Sequence, residues 1–331
     1  MHGTPQECAG NVLRGQLVLE VSEPTKIKSI KLSFQGKSKI TWPGVQNEEK
    51  VLFEHDWVFL HPKKYHILEP GNYQWGFELI LPGSLPETVE GCEHGSIQYR
   101  LKAVAERHSF ALNLSTQKKI TLHRCSFLNT EDALDTVVAN TWANRVIYDI
   151  SVDLKTFTLG DEISLSVNLE LLGRDLRIHE YKCAFNECVT YTVGSNKRSS
   201  AKTLKSVRGV DFHRDGGIWS DSLKLRIPNT CLYDSNNHII QISHQLKLSI
   251  IFITDDNRFI ELRATLPVTV TLNTDDMELP PYREYIPYKT YSCDIYDNLE
   301  NINFSLPSYD SVISNTPASS MDLSAPPIYV M

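Results

Sequence analysis

The residues of this chain that are of a type to do chemistry form three groups, and only one group has the spacing its chemistry requires. His179, Cys183 and Cys188 stand close together and are metal-ligating types. A zinc site of this kind brings a second ligand pair at matched spacing, and none follows. On a strand His179 and Cys183 share one face and Cys188 takes the other, so the three are read as ordinary packed residues and no metal is expected. For nucleophilic catalysis there is no Gly-x-Ser-x-Gly elbow, no phosphate-cradling Gly-rich loop and no His-Glu-x-x-His. The eleven histidines have no partners at suggestive spacing, so no catalytic residue, enzyme activity or cofactor is expected. The third group differs. Pro326-Pro327-Ile328-Tyr329 is a complete Pro-Pro-x-Tyr segment, and Leu279-Pro280-Pro281-Tyr282 and Leu306-Pro307-Ser308-Tyr309 are Leu-Pro-x-Tyr variants of it. Paired prolines preset a polyproline II segment, one ring stacks between aromatic side chains, and the tyrosine fills a second groove. That is the docking chemistry of WW-domain ligands, and three copies on one tether fit multivalent capture of a multi-WW partner.

These motifs need a flexible carrier, and the composition supplies one. From Thr274 to Met331 nine acidic residues face only Arg283 and Lys289, which accounts for the net charge of the whole chain, −7. Seven prolines, many serines and asparagines and no sustained periodicity accompany them. Scattered tyrosines cannot offset the ordering entropy of a core, so 274–331 reads as a disordered acidic tail. The remainder is charge-balanced, and a chain with 41% hydrophobic and 22% charged residues can bury cores over most of its 331 residues. The acidic excess argues against a general nucleic-acid binder. No apolar run spans a bilayer and no apolar segment opens the chain. Seven cysteines, an odd and scattered set, fit reduced thiols in a cytoplasmic protein, with Cys8, Cys92, Cys125 and Cys231 as small buried or incidental side chains.

The body alternates with a period of two. Ile30, Leu32 and Phe34 do so early; Tyr73 to Leu81, Ile97 to Ala105, Ile163 to Leu171 and Leu262 to Leu272 repeat the pattern. Each segment buries one face and wets the other, and turn formers such as Glu69-Pro70-Gly71-Asn72 separate them. The pattern predicts an all-β protein of tandem immunoglobulin-like β-sandwiches. Its divisions are expected at 1–124 for the first domain, 125–141 for a linker, 142–273 for the second domain and 274–331 for the tail. Asn129 to Asn140 is the best helix candidate, and Gly194 to Ser222, rich in lysine, arginine, serine and glycine, reads as a long loop.

Val12-Leu13-Arg14-Gly15-Gln16-Leu17, with Pro24 to Gly36 after it, resembles the start of the fungal arrestin-related trafficking adaptors, the α-arrestins. Leu68-Glu69-Pro70-Gly71-Asn72-Tyr73 and Leu81-Pro82-Gly83-Ser84-Leu85-Pro86-Glu87-Thr88 match their proline-glycine turn and Leu-Pro-rich connector. Ile97-Gln98-Tyr99-Arg100-Leu101-Lys102-Ala103 is similar to the family's Tyr-x-Leu-x-Ala strand, and Phe157-Thr158-Leu159-Gly160-Asp161 to the opening of its C domain. The resemblance covers 12–273 and implies an arrestin-like fold. It also implies a non-catalytic adaptor that links cytoplasmic segments of membrane cargo to a WW-domain HECT-type ubiquitin ligase, for cargo ubiquitination, endocytosis and sorting. The expected location is the cytoplasm, with recruitment to plasma membrane or endosomes. The alternative is a retromer-type coat or sorting scaffold, which shares the tandem sandwich but does not need three proline-tyrosine motifs. Relatives carry a further strand before the Val12 region; only Met1 to Asn11 stands here, so the first domain is expected to lack its first edge strand, and phosphate sensing is not carried over.

Two lysine groups complete the candidates. Lys26, Lys28 and Lys31, clustered near one early strand with Lys37 and Lys39 and with Lys63-Lys64 and Lys118-Lys119 elsewhere, are candidates for contact with cargo or with lipid headgroups at a peripheral membrane surface. Lys197, Lys202 and Lys205 in the expected loop are candidate ubiquitination sites.

Overall fold

A computed structural model describes residues 5, 7–43, 47–62, 65–108, 111–124, 136–173, 175–209, 213–215 and 218–272. All regular elements among them are strands, and no helix among them is long and apolar enough to cross a membrane. The first sandwich contains β1 (Asn11–Val21), β2 (Thr25–Ile40), β3 (Glu48–Leu60), β4 (His66–Leu68), β5 (Gly71–Leu81), β6 (Gly95–Arg107) and β7 (Leu114–Ile120). One sheet runs β3-β2-β6-β7, with β4 also on β2, and β1 pairs antiparallel with β5 in the other. The period-two segments do what alternation requires: Leu32 and Phe34 of β2 and Ile97, Tyr99, Leu101 and Ala103 of β6 point into one core. Gly36 lies opposite Tyr99 across the β2–β6 ladder, and a Cβ there would sit 2.4 Å from the tyrosine ring, so only glycine leaves room for it.

The second sandwich contains β8 (Thr136–Trp142), β9 (Val146–Val152), β10 (Thr156–Phe157), β11 (Glu162–Leu171), β12 (Leu176–Val193), β13 (Asn196–Gly209), β14 (His213–Asp215), β15 (Ile218–Arg226), β16 (Ser235–Asn236), β17 (Ile240–Thr254) and β18 (Phe259–Val270). Its sheets run β14-β15-β11-β9-β8 and β10-β18-β17-β12-β13, with β16 on β17. Ile163, Leu165, Val167 and Leu169 from one sheet meet Leu246, Leu248, Ile250 and Phe252 from the other.

Two expectations are corrected. Residues 136–142 form β8, although 136–141 fall in the expected linker and 136–140 in the helix candidate. The i, i+3, i+4 spacing of Leu134, Val137 and Val138 mimicked a helical stripe, but Arg145 N donates to Trp142 O across Ala143 and Asn144, both at positive φ. That is the backbone of a hairpin turn, which holds β8 against β9. The expected long loop at 194–222 is β13, β14 and most of β15, apart from residues outside the described set. β13 is polar because it is an edge strand with one wet face, and composition alone disguised it as a loop.

The two sandwiches share part of a core. Val189 and Tyr191 near the end of β12, Ile239 just before β17, and Ile240 and Ile242 at its start lie in the same cluster as Phe34, Trp42 and Tyr99 of the first sandwich. Trp42 and Tyr191 have ring centroids 6.3 Å apart, and His94 N donates to Tyr191 Oη at 3.4 Å.

Candidate functional site

The docking residues Leu279, Pro280, Tyr282, Leu306, Pro307, Tyr309, Pro326, Pro327 and Tyr329 lie outside the described residues, as do Lys63, Lys64 and Cys125. Lys26, Lys28 and Lys31 are exposed on the outward side of β2. Lys28 Nζ stands 3.7 Å from Glu106 and Lys31 Nζ 2.7 Å from Asp56, so acidic neighbours on β6 and β3 offset part of that positive face. The pair with Lys31 holds the Asp56 carboxyl below its ordinary value. Lys197, Lys202 and Lys205 are exposed on β13, in a paired strand rather than a loop.

His179, Cys183 and Cys188 are not gathered. His179 is exposed against the Phe259 ring, Cys183 is buried in the second core with its thiol pushed up to about 12 by burial, and Cys188 Sγ accepts from Gln245 at 3.2 Å. What the fold does gather lies on the seam between the sandwiches, in two polar clusters beside one cleft of about 220 Å³.

The first cluster crosses the seam. Arg124 Nε donates to Glu87 Oε1 at 3.1 Å with both side chains about nine-tenths buried, and Arg124 Nη2 donates to Gly83 O and Leu85 O at 2.7 and 3.0 Å. The other Glu87 oxygen accepts from Ser235 Oγ and Asn237 Nδ2, both at 3.3 Å. Asn237 Oδ1 in turn caps the backbone N–H groups of Ile239 and Ile240 at 3.0 and 2.8 Å. A carboxylate of the first sandwich thus orders the turn that starts β17, with its charge matched by an equally buried guanidinium.

The second cluster sits where β12 and β17 pass from one core to the other. Glu187 and His244 are register partners across that ladder, and both are buried. His244 Nε2 is 3.1 Å from Cys231 Sγ and 3.5 Å from Glu187 Oε2, while His244 Nδ1 is 2.6 Å from Asp234 Oδ1. Each carboxylate is also fixed by the backbone: Leu232 N donates to Glu187 Oε2 at 2.9 Å and Val270 N to Asp234 Oδ1 at 2.8 Å. The Phe185 ring stacks on the imidazole at 5.3 Å. Burial works to lower the His244 pKa, but hydrogen bonds to Asp234, Cys231 and Glu187 outweigh it and push the value up to about 11. The Glu187 carboxyl, against its own burial, is lowered by the His244 and Leu232 hydrogen bonds.

This cluster escaped the motif search because 44 positions separate Glu187 from Cys231 and 13 more separate Cys231 from His244. One signal was available. His244 stands at an inward position in the alternation Ile240, Ile242, His244, Leu246, Leu248, where every neighbour is apolar.

Two sandwiches joined by strands common to both cores agree with the comparison by sequence. The arrestin N-terminal domain model matches residues 5–128 and the arrestin (or S-antigen) C-terminal domain model matches 142–274. The chain belongs to the arrestin family. An arrestin domain-containing protein of Schizosaccharomyces pombe is 30% identical over 324 residues, covering 90% of the present arrestin and 52% of that protein. A second from the same yeast is 29% identical over 285 residues, covering 79% and 48%. The HECT-type ubiquitin ligase-interacting protein creD of Emericella nidulans is 31% identical over 305 residues, covering 82% and 50%. This arrestin spans about half the length of the curated relatives it matches.

Proposed function

We propose that this arrestin is a non-catalytic adaptor that brings a WW-domain HECT-type ubiquitin ligase to membrane cargo. The observation that carries the reading is the complete Pro326-Pro327-Ile328-Tyr329 motif with two Leu-Pro-x-Tyr variants, in a chain similar to a protein named for interacting with a HECT-type ubiquitin ligase. The two sandwiches, β1 to β7 and β8 to β18, serve as the cargo platform, and 274–331 as the tether. Tethering raises the ligase concentration beside the cargo's lysines, so the gain is one of proximity. Lys26, Lys28 and Lys31 give the platform a cationic outer face for acidic cargo segments or anionic headgroups. The adaptor works in the cytoplasm and is carried with its cargo to plasma membrane or endosomes. A docked ligase also meets the adaptor's own lysines, and Lys197, Lys202 and Lys205 on the exposed edge strand β13 are the sites proposed.

The test is binding of the full chain to a tandem-WW fragment of such a ligase. Tyr329→Ala is expected to weaken binding most, because the paired prolines preorganise that motif while leucine replaces the first proline in the other two. That difference amounts to about 1 kcal/mol, or a few-fold in affinity. Replacing Tyr282, Tyr309 and Tyr329 together should abolish binding and leave the melting temperature of the body unchanged. Undiminished binding by the triple variant overturns the reading.

A further inference from the structure

We propose that Glu187, Cys231 and His244 form a divalent transition-metal site of the zinc class on the seam between the two sandwiches. The three side chains present a carboxylate oxygen, a thiol sulfur and an imidazole nitrogen, all within 4.8 Å of one another and all buried. A tetrahedral ion with bonds of about 2.0–2.3 Å holds its ligand atoms about 3.3–3.7 Å apart. The Nε2–Oε2 separation of 3.5 Å falls in that range, and the Nε2–Sγ separation of 3.1 Å reaches it with a few tenths of an ångström of side-chain adjustment. Mixed sulfur, nitrogen and oxygen donors favour zinc over the oxygen-seeking magnesium and calcium.

A second feature, independent of the ligand count, points the same way. Asp234 takes the Nδ1 hydrogen of His244 at 2.6 Å and is itself held by the Val270 backbone N–H. A carboxylate behind the remote nitrogen fixes the ring and leaves Nε2 as the ligating atom, the arrangement that supports metal-bound imidazoles generally. Cys231 and Asp234 also line the cleft, which brings it to the edge of the buried cluster. On binding, the ion replaces the Nε2 proton of His244 and the Sγ proton of Cys231, and Glu187 becomes a ligand in place of its ion pair with the imidazolium. The ion then ties β12, β17 and the segment beginning at Cys231 to one point. Ser235 and Asn237 of that same segment receive Glu87 from the first sandwich, so loading stiffens the contact between the two halves.

The experiment is a titration of the full chain, stripped with a chelator, with cobalt(II) as the probe. The expected result is one equivalent bound, with the visible bands of four-coordinate cobalt and a near-ultraviolet thiolate-to-cobalt band, both removed by stoichiometric zinc. Cys231→Ser should lose the thiolate band. Asp234→Asn, which alters a positioning residue, should keep the band and bind about 10- to 100-fold more weakly. Melting curves recorded without metal establish that each variant is folded. Absence of a thiolate band in the parent chain overturns the proposal, whatever the variants do. An undiminished band in Cys231→Ser also overturns it, because the ion then rests on other cysteines.

Discussion

The seam joins the sandwiches in two ways that lie side by side, and they do different work. On one side Tyr191, Ile239, Ile240 and Ile242 of the second half are buried with Trp42, Ile97 and Tyr99 of the first. On the other, Glu87 is shared between Arg124 of its own half and Ser235 and Asn237 of the other. Apolar burial is strong and undirected, and it tolerates sliding if volume is kept. The ionic side contributes little net stability, since two charges had to leave water, but it accepts only one register. The seam therefore separates cohesion from alignment.

The largest effect should come from breaking the ionic side on one partner only. Arg124→Met strands the Glu87 carboxylate and releases two carbonyls, with an expected loss of about 3–5 kcal/mol in a denaturant titration. Adding Glu87→Gln should recover most of it, because a neutral amide can still accept from Ser235 and Asn237. A double variant as unstable as the single one would show that the pair itself, and not the stranded charge, carries the energy. Next comes Tyr191→Ala on the apolar side, expected to cost about 3–4 kcal/mol by the same measurement, with no second substitution restoring it. Ile240→Val removes one methylene from the same cluster and should lower stability by about 1 kcal/mol. Lys28→Ala on the outer face of β2, with an exposed partner 3.7 Å away, should fall within about 0.5 kcal/mol of the parent.

How much of this was readable beforehand depends on what each strand buries. β6, β11 and β18 announced themselves because one whole face is apolar, as in Ile163, Leu165, Val167 and Leu169. β13 did not, because an edge strand with residues such as Ser199, Ala201 and Thr203 has no sharply apolar face. β8 did not, because its hairpin turns on Ala143 and Asn144, a weaker turn signal than Asn-Gly. The Glu187–His244 pair depends on β12–β17 register, which a single sequence does not specify until the strands are aligned. The docking motifs were legible for the opposite reason: their chemistry lies within four consecutive residues and needs no fold to assemble it.

β12 and β17 are 18 and 15 residues long, and one end of their ladder is seated in each sandwich. Mechanically that ribbon is a tang set into a handle. The halves cannot swing like beads on a string, since any turning of one against the other must twist the ribbon or withdraw its tip from Trp42. Covalent continuity between 124 and 136 is then dispensable for holding the molecule together. A chain nicked there by a protease should migrate in size-exclusion chromatography as a single particle and separate only in denaturant. A pull applied to one half would be felt as torque in the other.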